Sequence, residues 1–500
     1  MIFNSFSYLI FLGIIAVLYW HLPRTPRLWL LFIASLVFYG FWNYLFIAIL
    51  LFSVGFDYLA ALWIASSRDE RMRKMVLVAS LAVNLGILGF FKYAIFVLGQ
   101  VEGFARLLGF EISGFSLPFH VILPIGISFY TFHSMSYTID VWRRRIEPKR
   151  NFILFATFVV FFPQLVAGPI LRAAEVIPQL DQRPQFHWAD VAEGIRRLSV
   201  GLAMKVLLAD NIARLVNRGF ELSPSLLGGV DVLTLAFLFG FQIYFDFAGY
   251  SHIAVGSARI LGIRFPENFN FPYIAVNPQD FWRRWHISLS SWIRDYLYLP
   301  LAGATSGDRS QGGLAVAVPG EAQTQAGPGR RFRALWITWF IMGLWHGANW
   351  TFIFWGLWHA AIITIYRLWS ALKAPRLPAL GAWAITLPAM MLGWIFFRAT
   401  SVHEAFALYG RFFNPGAWLS PPEHGAGLPL WMALDRDCYY SSAAILCLIV
   451  LAWVYVRWIA PWLDARPRLR LATDGATAAV VVPLIFLFLQ PVEQFIYFQF

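Results

Sequence analysis

Two histidines stand in an apolar stretch that contains no Lys, Arg, Asp or Glu: residues 335–366 read LWITWFIMGLWHGANWTFIFWGLWHAAIITIY, with His346 and His359 inside. An ionisable side chain at bilayer depth is costly and marks a functional site by default. His346 lies in Trp-His-Gly-Ala, where Gly347 and Asn349 lower helix propensity, so a break is expected over 343–349. A buried imidazole is favoured in its neutral form, which can take a proton from a hydroxyl as a general base. The competing reading is a structural histidine bonded to a backbone carbonyl between helices. Residue physics alone leaves both open. His359 follows thirteen positions later, about 220° around an unbroken helix, so the pair is expected on different faces and a shared metal site is not.

Other ionisable groups sit in apolar surroundings. Asp246 and His252 occur in YFDFAGYSH. Residues 263–301 interleave Arg, Trp and Tyr with apolar positions, and 280–294 is expected to form one interfacial amphipathic helix. It would set Trp282, Trp285, Leu289 and Ile293 in the boundary, and Arg283, Arg284 and Arg294 toward headgroups or an anionic ligand. His286, beside those arginines, reads as an interfacial histidine in contact with water. HExxH, cysteine clusters, apolar carboxylate dyads, GxSxG and a Gly-rich phosphate loop do not occur, so no metal site is expected. Cys438 and Cys447 read as inert core residues.

The elements that must hold these residues are membrane spans. Only 13% of the 500 residues are charged and the mean hydropathy is +0.61, whereas soluble proteins carry about 25% charged residues. One membrane domain over 1–500 is therefore expected, with roughly ten to twelve spans of about 20 residues. The early spans fall near 5–22, 28–42, 44–65, 76–98 and 121–142, with an outer loop at 99–120. Residues 152–170 form a broken or re-entrant segment around Pro163, Gly168 and Pro169. Apolar runs follow near 198–216, 231–262, 334–349, 350–369, 380–397, 441–463 and 474–490, with a loop at 401–438 and a short tail, FIYFQF. Basic clusters at Arg24 and Arg27, at Arg68 to Lys74 and at Arg143 to Arg150 all fall on one side if the spans alternate. The positive-inside rule makes that side cytoplasmic and the N-terminus external. The net charge of +12 lies in such loops and reads as a topology signal, not as nucleic-acid binding. The first span lacks a basic n-region and a cleavage site, so it is expected to be retained. Residues 302–329, rich in Gly, Ala and Gln, read as a flexible loop.

Eight stretches together resemble the membrane-bound O-acyltransferase family, in the branch that serves bacterial alginate O-acetylation. They are LPIGISFYTFHSMSYTIDVWR (123–143), FFPQLVAGPILR (161–172), GLAMKVLLADNIA (201–213), FQIYFDFAGYS (241–251), FPENFNFPY (265–273), DFWRRWHISLSSWIRDYLYLPL (280–301), GLWHGANWTFIFWGLWH (343–359) and LGWIFFRAT (392–400). The resemblance implies an all-α polytopic protein with re-entrant and interfacial helices around a central tunnel. It implies transfer of an acetyl or other small acyl group from a cytoplasmic thioester, such as acetyl-CoA, to hydroxyls of an extracytoplasmic polysaccharide such as alginate. It makes His346 the catalytic histidine and His286 the second characteristic one. Arg283, Arg284, Trp345, Asn349 and Asp246 are the candidate substrate-binding residues. No bound cofactor is expected. Expected partners are membrane lipids, a periplasmic acetyltransferase and polysaccharide-synthesis machinery, at the bacterial inner membrane. The chain departs from the family pattern at His252, where Asp is common, and in the length of 302–329. A proton-coupled carrier using Asp246, His252 and His346, and D-alanyl transfer to teichoic acid, are the alternatives.

Overall fold

The computed structural model describes residues 2–110, 122–166, 168–182, 184–303, 327–375, 377–419 and 433–488. These are helical throughout, with no strand among the described residues. The chain divides into two compact units, Met1–Leu198 with Tyr250–Pro266, and Ser199–Gly249 with Glu267–Phe500.

The first unit opens with α1 (Phe6–His21), α2 (Arg24–Asn43), α3 (Phe46–Ser66), α4 (Glu70–Leu107) and α5 (Ile127–Trp142). Polar residues cap these helices where the apolar runs begin: Ser5 Oγ accepts from the Tyr8 N–H at 3.2 Å and Asp69 from the Arg71 N–H at 3.0 Å, satisfying N–H groups the helix itself leaves open. Three helices are tied by one carboxylate. Asp57 of α3, fully buried, accepts from Ser80 Oγ at 2.6 Å, from Asn84 Nδ2 at 2.9 and 2.8 Å, and from Ser134 Oγ. Side-chain hydrogen bonds of this kind hold helices together where lipid offers no hydrophobic drive. The broken segment appears as α6 (Phe152–Val160) and α7 (Phe162–Leu165). At the break the Phe162 N–H donates to Ser35 Oγ at 3.0 Å, so the freed backbone is met inside protein. α8 (Ala173–Asp181) and the amphipathic α9 (Trp188–Leu202) follow.

The second unit contains a π-helical turn at Ala203–Ala209, α10 (Asp210–Phe220) and residues 229–249 of α11 (Gly229–Ile260). Then come α12 (Pro278–Arg284), α13 (Ile287–Ile293), a π turn at Arg294–Tyr298, α14 (Leu299–Leu301), α15 (Pro328–His346), α16 (Trp350–Ala371) and α17 (Ala379–Arg398). α18 (Val402–Phe413), α19 (Gly416–Leu419), α20 (Arg436–Val454), α21 (Ala460–Asp464) and α22 (Pro467–Phe488) complete it.

Among the described residues eight helices are long and apolar enough to cross a membrane, and the apolar α1 is shorter. That is fewer than ten to twelve. α1 and α5 have 16 residues each, and the π turn interrupts the run expected at 198–216. Residues 280–294 are not one helix: α12 ends at Arg284 and α13 begins at Ile287. The loop expected at 401–438 contains α18 and α19, and Cys447, expected in the core, is exposed. α4 runs on to Leu107 because its polar residues there, Glu102 and Arg106, favour helix as readily as loop. Residues 111–120 of the expected outer loop, residue 121 of the span after it, 304–326 of the expected flexible loop, and the FIYFQF tail lie outside the described residues.

Candidate active site

The break at Trp-His-Gly-Ala is where it was expected. α15 ends on His346, Gly347 is extended, and Asn349 caps α16 by accepting from the Thr351 N–H at 3.1 Å. The two helices touch through glycine. A Cβ on Gly343 would lie 2.3 Å from the Phe352 carbonyl oxygen, and one on Gly356 2.2 Å from that of Trp339. Small residues let helix backbones approach this closely, and the approach fixes how the last turn of α15 meets α16.

His346 is buried against three rings: Trp355 at 4.7 Å between centroids, Trp345 at 4.9 Å and Phe397 at 5.3 Å. It sits at the C-terminus of α15, beside the negative end of the helix dipole. Because the helix is broken, the expectation that His346 and His359 point apart does not hold. His359 packs on the same Trp355 at 4.8 Å, and on Trp282 and Trp339 at 4.9 and 5.4 Å.

His286 is not an interfacial histidine in contact with water. It is fully buried, at the junction of α12 and α13, with a left-handed backbone (φ 42°). That conformation is uncommon for a side chain larger than glycine and costs on the order of 1–3 kcal/mol. Asn268 holds it. The Asn268 carbonyl accepts from the Ile287 N–H at 2.9 Å. Asn268 Oδ1 accepts from the Ser288 N–H at 3.2 Å and Ser288 Oγ at 2.8 Å, and lies 3.1 Å from His286 Nδ1. An oxygen that already serves two donors sets Nδ1 as a third, which leaves the lone pair on Nε2. Phe247 closes one side at 4.6 Å. The neighbouring Trp285 packs at a tilt against Trp394 at 4.9 Å, and Trp394 stacks on Trp355 at 6.0 Å. Continuous aromatic packing thus joins the His286 junction to the ring that carries His346 and His359.

The remaining candidates separate. Trp345 belongs to the His346 wall, and the side-chain oxygen of Asn349 serves its helix cap. Arg283 is exposed, whereas Arg284 is half-buried, pairs with Asp280 at 2.9 Å and donates to the Asn270 carbonyl at 3.3 Å. Asp246 is buried opposite Lys205, whose Nζ lies 2.8 Å from Asp246 Oδ1 and 2.7 Å from Asp210 Oδ1. The π turn produces this. The Asp210 N–H bonds five residues back to the Lys205 carbonyl, and such turns recur at functional sites. In the first unit, His252 lies 3.3 Å from Arg197 Nη1. Sequence reading missed Asn268 and Lys205. For Lys205 the signal was a lysine in an apolar run with an aspartate five positions on. For Asn268 it was an amide, one of two with Asn270, set among phenylalanines.

The chain is thus a multi-pass helical membrane protein with buried imidazoles in its second unit. The chain belongs to the membrane-bound O-acyltransferase family, whose model it matches over residues 127–317. It is 38% identical over 424 residues to the probable alginate O-acetylase of Pseudomonas aeruginosa, covering 84% of this chain and 76% of that one. To the peptidoglycan O-acetyltransferase of Helicobacter pylori it is 36% identical over 414 residues, 77% and 73% of the two chains. The teichoic acid D-alanyltransferase of Bacillus subtilis is 29% identical over 302 residues, 57% and 71%. The protein is therefore an acyltransferase, and the carrier reading falls away.

Proposed function

We propose that the protein transfers an acetyl group from a cytoplasmic thioester, acetyl-CoA or a related donor, to hydroxyls of an extracytoplasmic polysaccharide of the alginate type. The observation that carries the reading is His346: a buried imidazole at the C-terminal end of α15, walled by Trp345, Trp355 and Phe397. His346 takes the proton of the acceptor hydroxyl as its oxygen attacks the acetyl carbonyl. The carbon–sulfur bond then breaks, the thiolate leaves and takes up the proton, and an ester remains. The aromatic wall keeps water from competing as acceptor. His286, with its lone pair on Nε2, accepts a hydrogen bond from donor or acceptor and orients it. Arg283, exposed at the end of α12, attracts the anionic part of the donor. The protein works in the bacterial inner membrane with its N-terminus outside, alongside a periplasmic acetyltransferase partner and the polysaccharide-synthesis machinery. The higher identity and wider coverage of the O-acetylating relatives favour acetyl over D-alanyl transfer.

Replacing His346 by Ala tests this. Acetyl ester on the secreted polysaccharide should fall to the background of a deletion strain while membrane abundance is kept. Wild-type acetylation by H346A sinks the assignment.

A further inference from the structure

We propose that Arg27, in the first turn of α2, is the centre of a phosphate-binding site whose ligand is the headgroup of an anionic phospholipid. Arg27 is only 4% exposed, and its guanidinium carbon lies 4.4 Å from the centroid of the Tyr19 ring and 5.6 Å from that of Trp20. Its Nε and Nη1 atoms are buried with no hydrogen-bond partner, and no carboxylate pairs with it among the described residues. A guanidinium does not shed its proton. Attraction to two aromatic faces returns only part of what removing a full charge from water costs. An anion from outside the chain is the missing counter-charge.

The local backbone points the same way. Pro23 at the N-cap offers no side-chain hydrogen bond, and the first turn has no acidic residue. It carries two arginines instead, the reverse of what a helix N-terminus favours. Arg24 is turned to Asp181 and is largely exposed, so the buried charge left over is that of Arg27. A phosphate would meet the guanidinium and, in the first turn, the N–H groups of Arg24 and Thr25, since Pro26 has none and the Arg27 N–H donates to the Pro23 carbonyl at 3.0 Å.

A lipid is the fitting source of that phosphate. Trp20, which flanks Arg27, packs edge-on against Phe186 at 5.0 Å, and Phe186 against Trp188 at 5.0 Å. Phe186, Trp188 and Trp29 are exposed. Exposed aromatic rings beside a basic helix end are the composition of the headgroup level. The positive-inside rule puts this end in the cytoplasmic leaflet, where anionic lipids collect. The site is independent of the acyl-transfer reading.

Native mass spectrometry of the full-length, delipidated protein in mild detergent tests the site. The titrants are phosphatidylglycerol, phosphatidylcholine, inorganic phosphate and coenzyme A. Wild type should retain one phosphatidylglycerol, R27Q about tenfold less, equivalent to about 1.4 kcal/mol, and R24Q as much as wild type. Equal retention by R27Q, or equal loss in R24Q, overturns the proposal. If only inorganic phosphate or coenzyme A separates wild type from R27Q, the anion is soluble and the lipid assignment fails. Should R27Q not be recoverable, wild type decides alone: phosphatidylglycerol must raise its unfolding temperature more than phosphatidylcholine does, and an equal rise refutes the site.

Discussion

Replacing Gly356 by alanine puts a methyl group 2.2 Å from the Trp339 carbonyl oxygen, where side-chain carbons keep at least 3.0 Å. The obstacle is backbone, so no rotamer change relieves it. The Trp339 carbonyl carbon at 3.1 Å and the Gly343 Cα at 3.2 Å block sideways escape. α15 and α16 must therefore part by about 0.8 Å, and overpacking of this kind costs about 1–3 kcal/mol in stability. The larger effect falls on chemistry. The same contact fixes the last turn of α15 against Trp355, the ring shared by His346 and His359, and a misplacement near 1 Å costs roughly 100-fold in rate. G356A should thus reach the membrane at reduced but measurable abundance and acetylate polysaccharide about 100-fold more slowly per molecule. Gly381 of α17 is the control, because a Cβ there would meet nothing within 4 Å. G381A should keep wild-type activity and gain up to about 1 kcal/mol of helix stability. Wild-type turnover in G356A refutes the reasoning, and so does equal loss in both variants, which would trace the effect to helix propensity.

Three further outcomes follow from the same geometry. N268A removes the oxygen that serves His286 and Ser288, leaving buried donors at about 1–3 kcal/mol; acetylation should fall at least tenfold, with a lower unfolding temperature in detergent. N268D keeps the acceptor oxygen and should recover part of both, and an N268A enzyme as active as wild type would show that Asn268 does not orient His286. D246L should cost about 1–3 kcal/mol, because it strips one buried partner while Lys205 keeps Asp210 at 2.7 Å, and K205M with D246L should cost less than the sum of the single variants; strict additivity in unfolding measurements would deny the coupling. R283Q should raise the apparent KM for the thioester donor several-fold with kcat nearly unchanged, and a change in kcat alone would remove Arg283 from donor attraction.

The central break was legible because Gly347 and Asn349 are poor helix formers and Asn349 is a good cap, both local properties. The burial of His286 was not. A pattern of Trp and Arg over 280–294 has helical period, so a continuous interfacial helix was the natural reading. What breaks it is Asn268, eighteen residues upstream, whose hydrogen bonds hold a left-handed backbone that no local signal announces. Lys205 escaped for a related reason, since a five-residue backbone step brings it to Asp210 and helix periodicity is read at 3.6. The close approach of α15 and α16 left a trace in Gly343 and Gly356, thirteen positions apart, but only their pairing across the bend gives it meaning.

The carboxylate of Asp57 has a consequence for how the chain is made. Its partners are encoded later: Ser80 lies 23 residues on, Asn84 27 and Ser134 77. At the roughly 5–20 residues per second of synthesis, Ser134 leaves the ribosome several seconds after Asp57. In that interval α3 carries an unmet acid into the bilayer, at an insertion cost of about 2.5–3.5 kcal/mol. The many apolar residues of α3 offset that cost, and α4 and then α5 relieve it as their Ser and Asn side chains arrive. The order of synthesis is thus also the order in which this bundle closes.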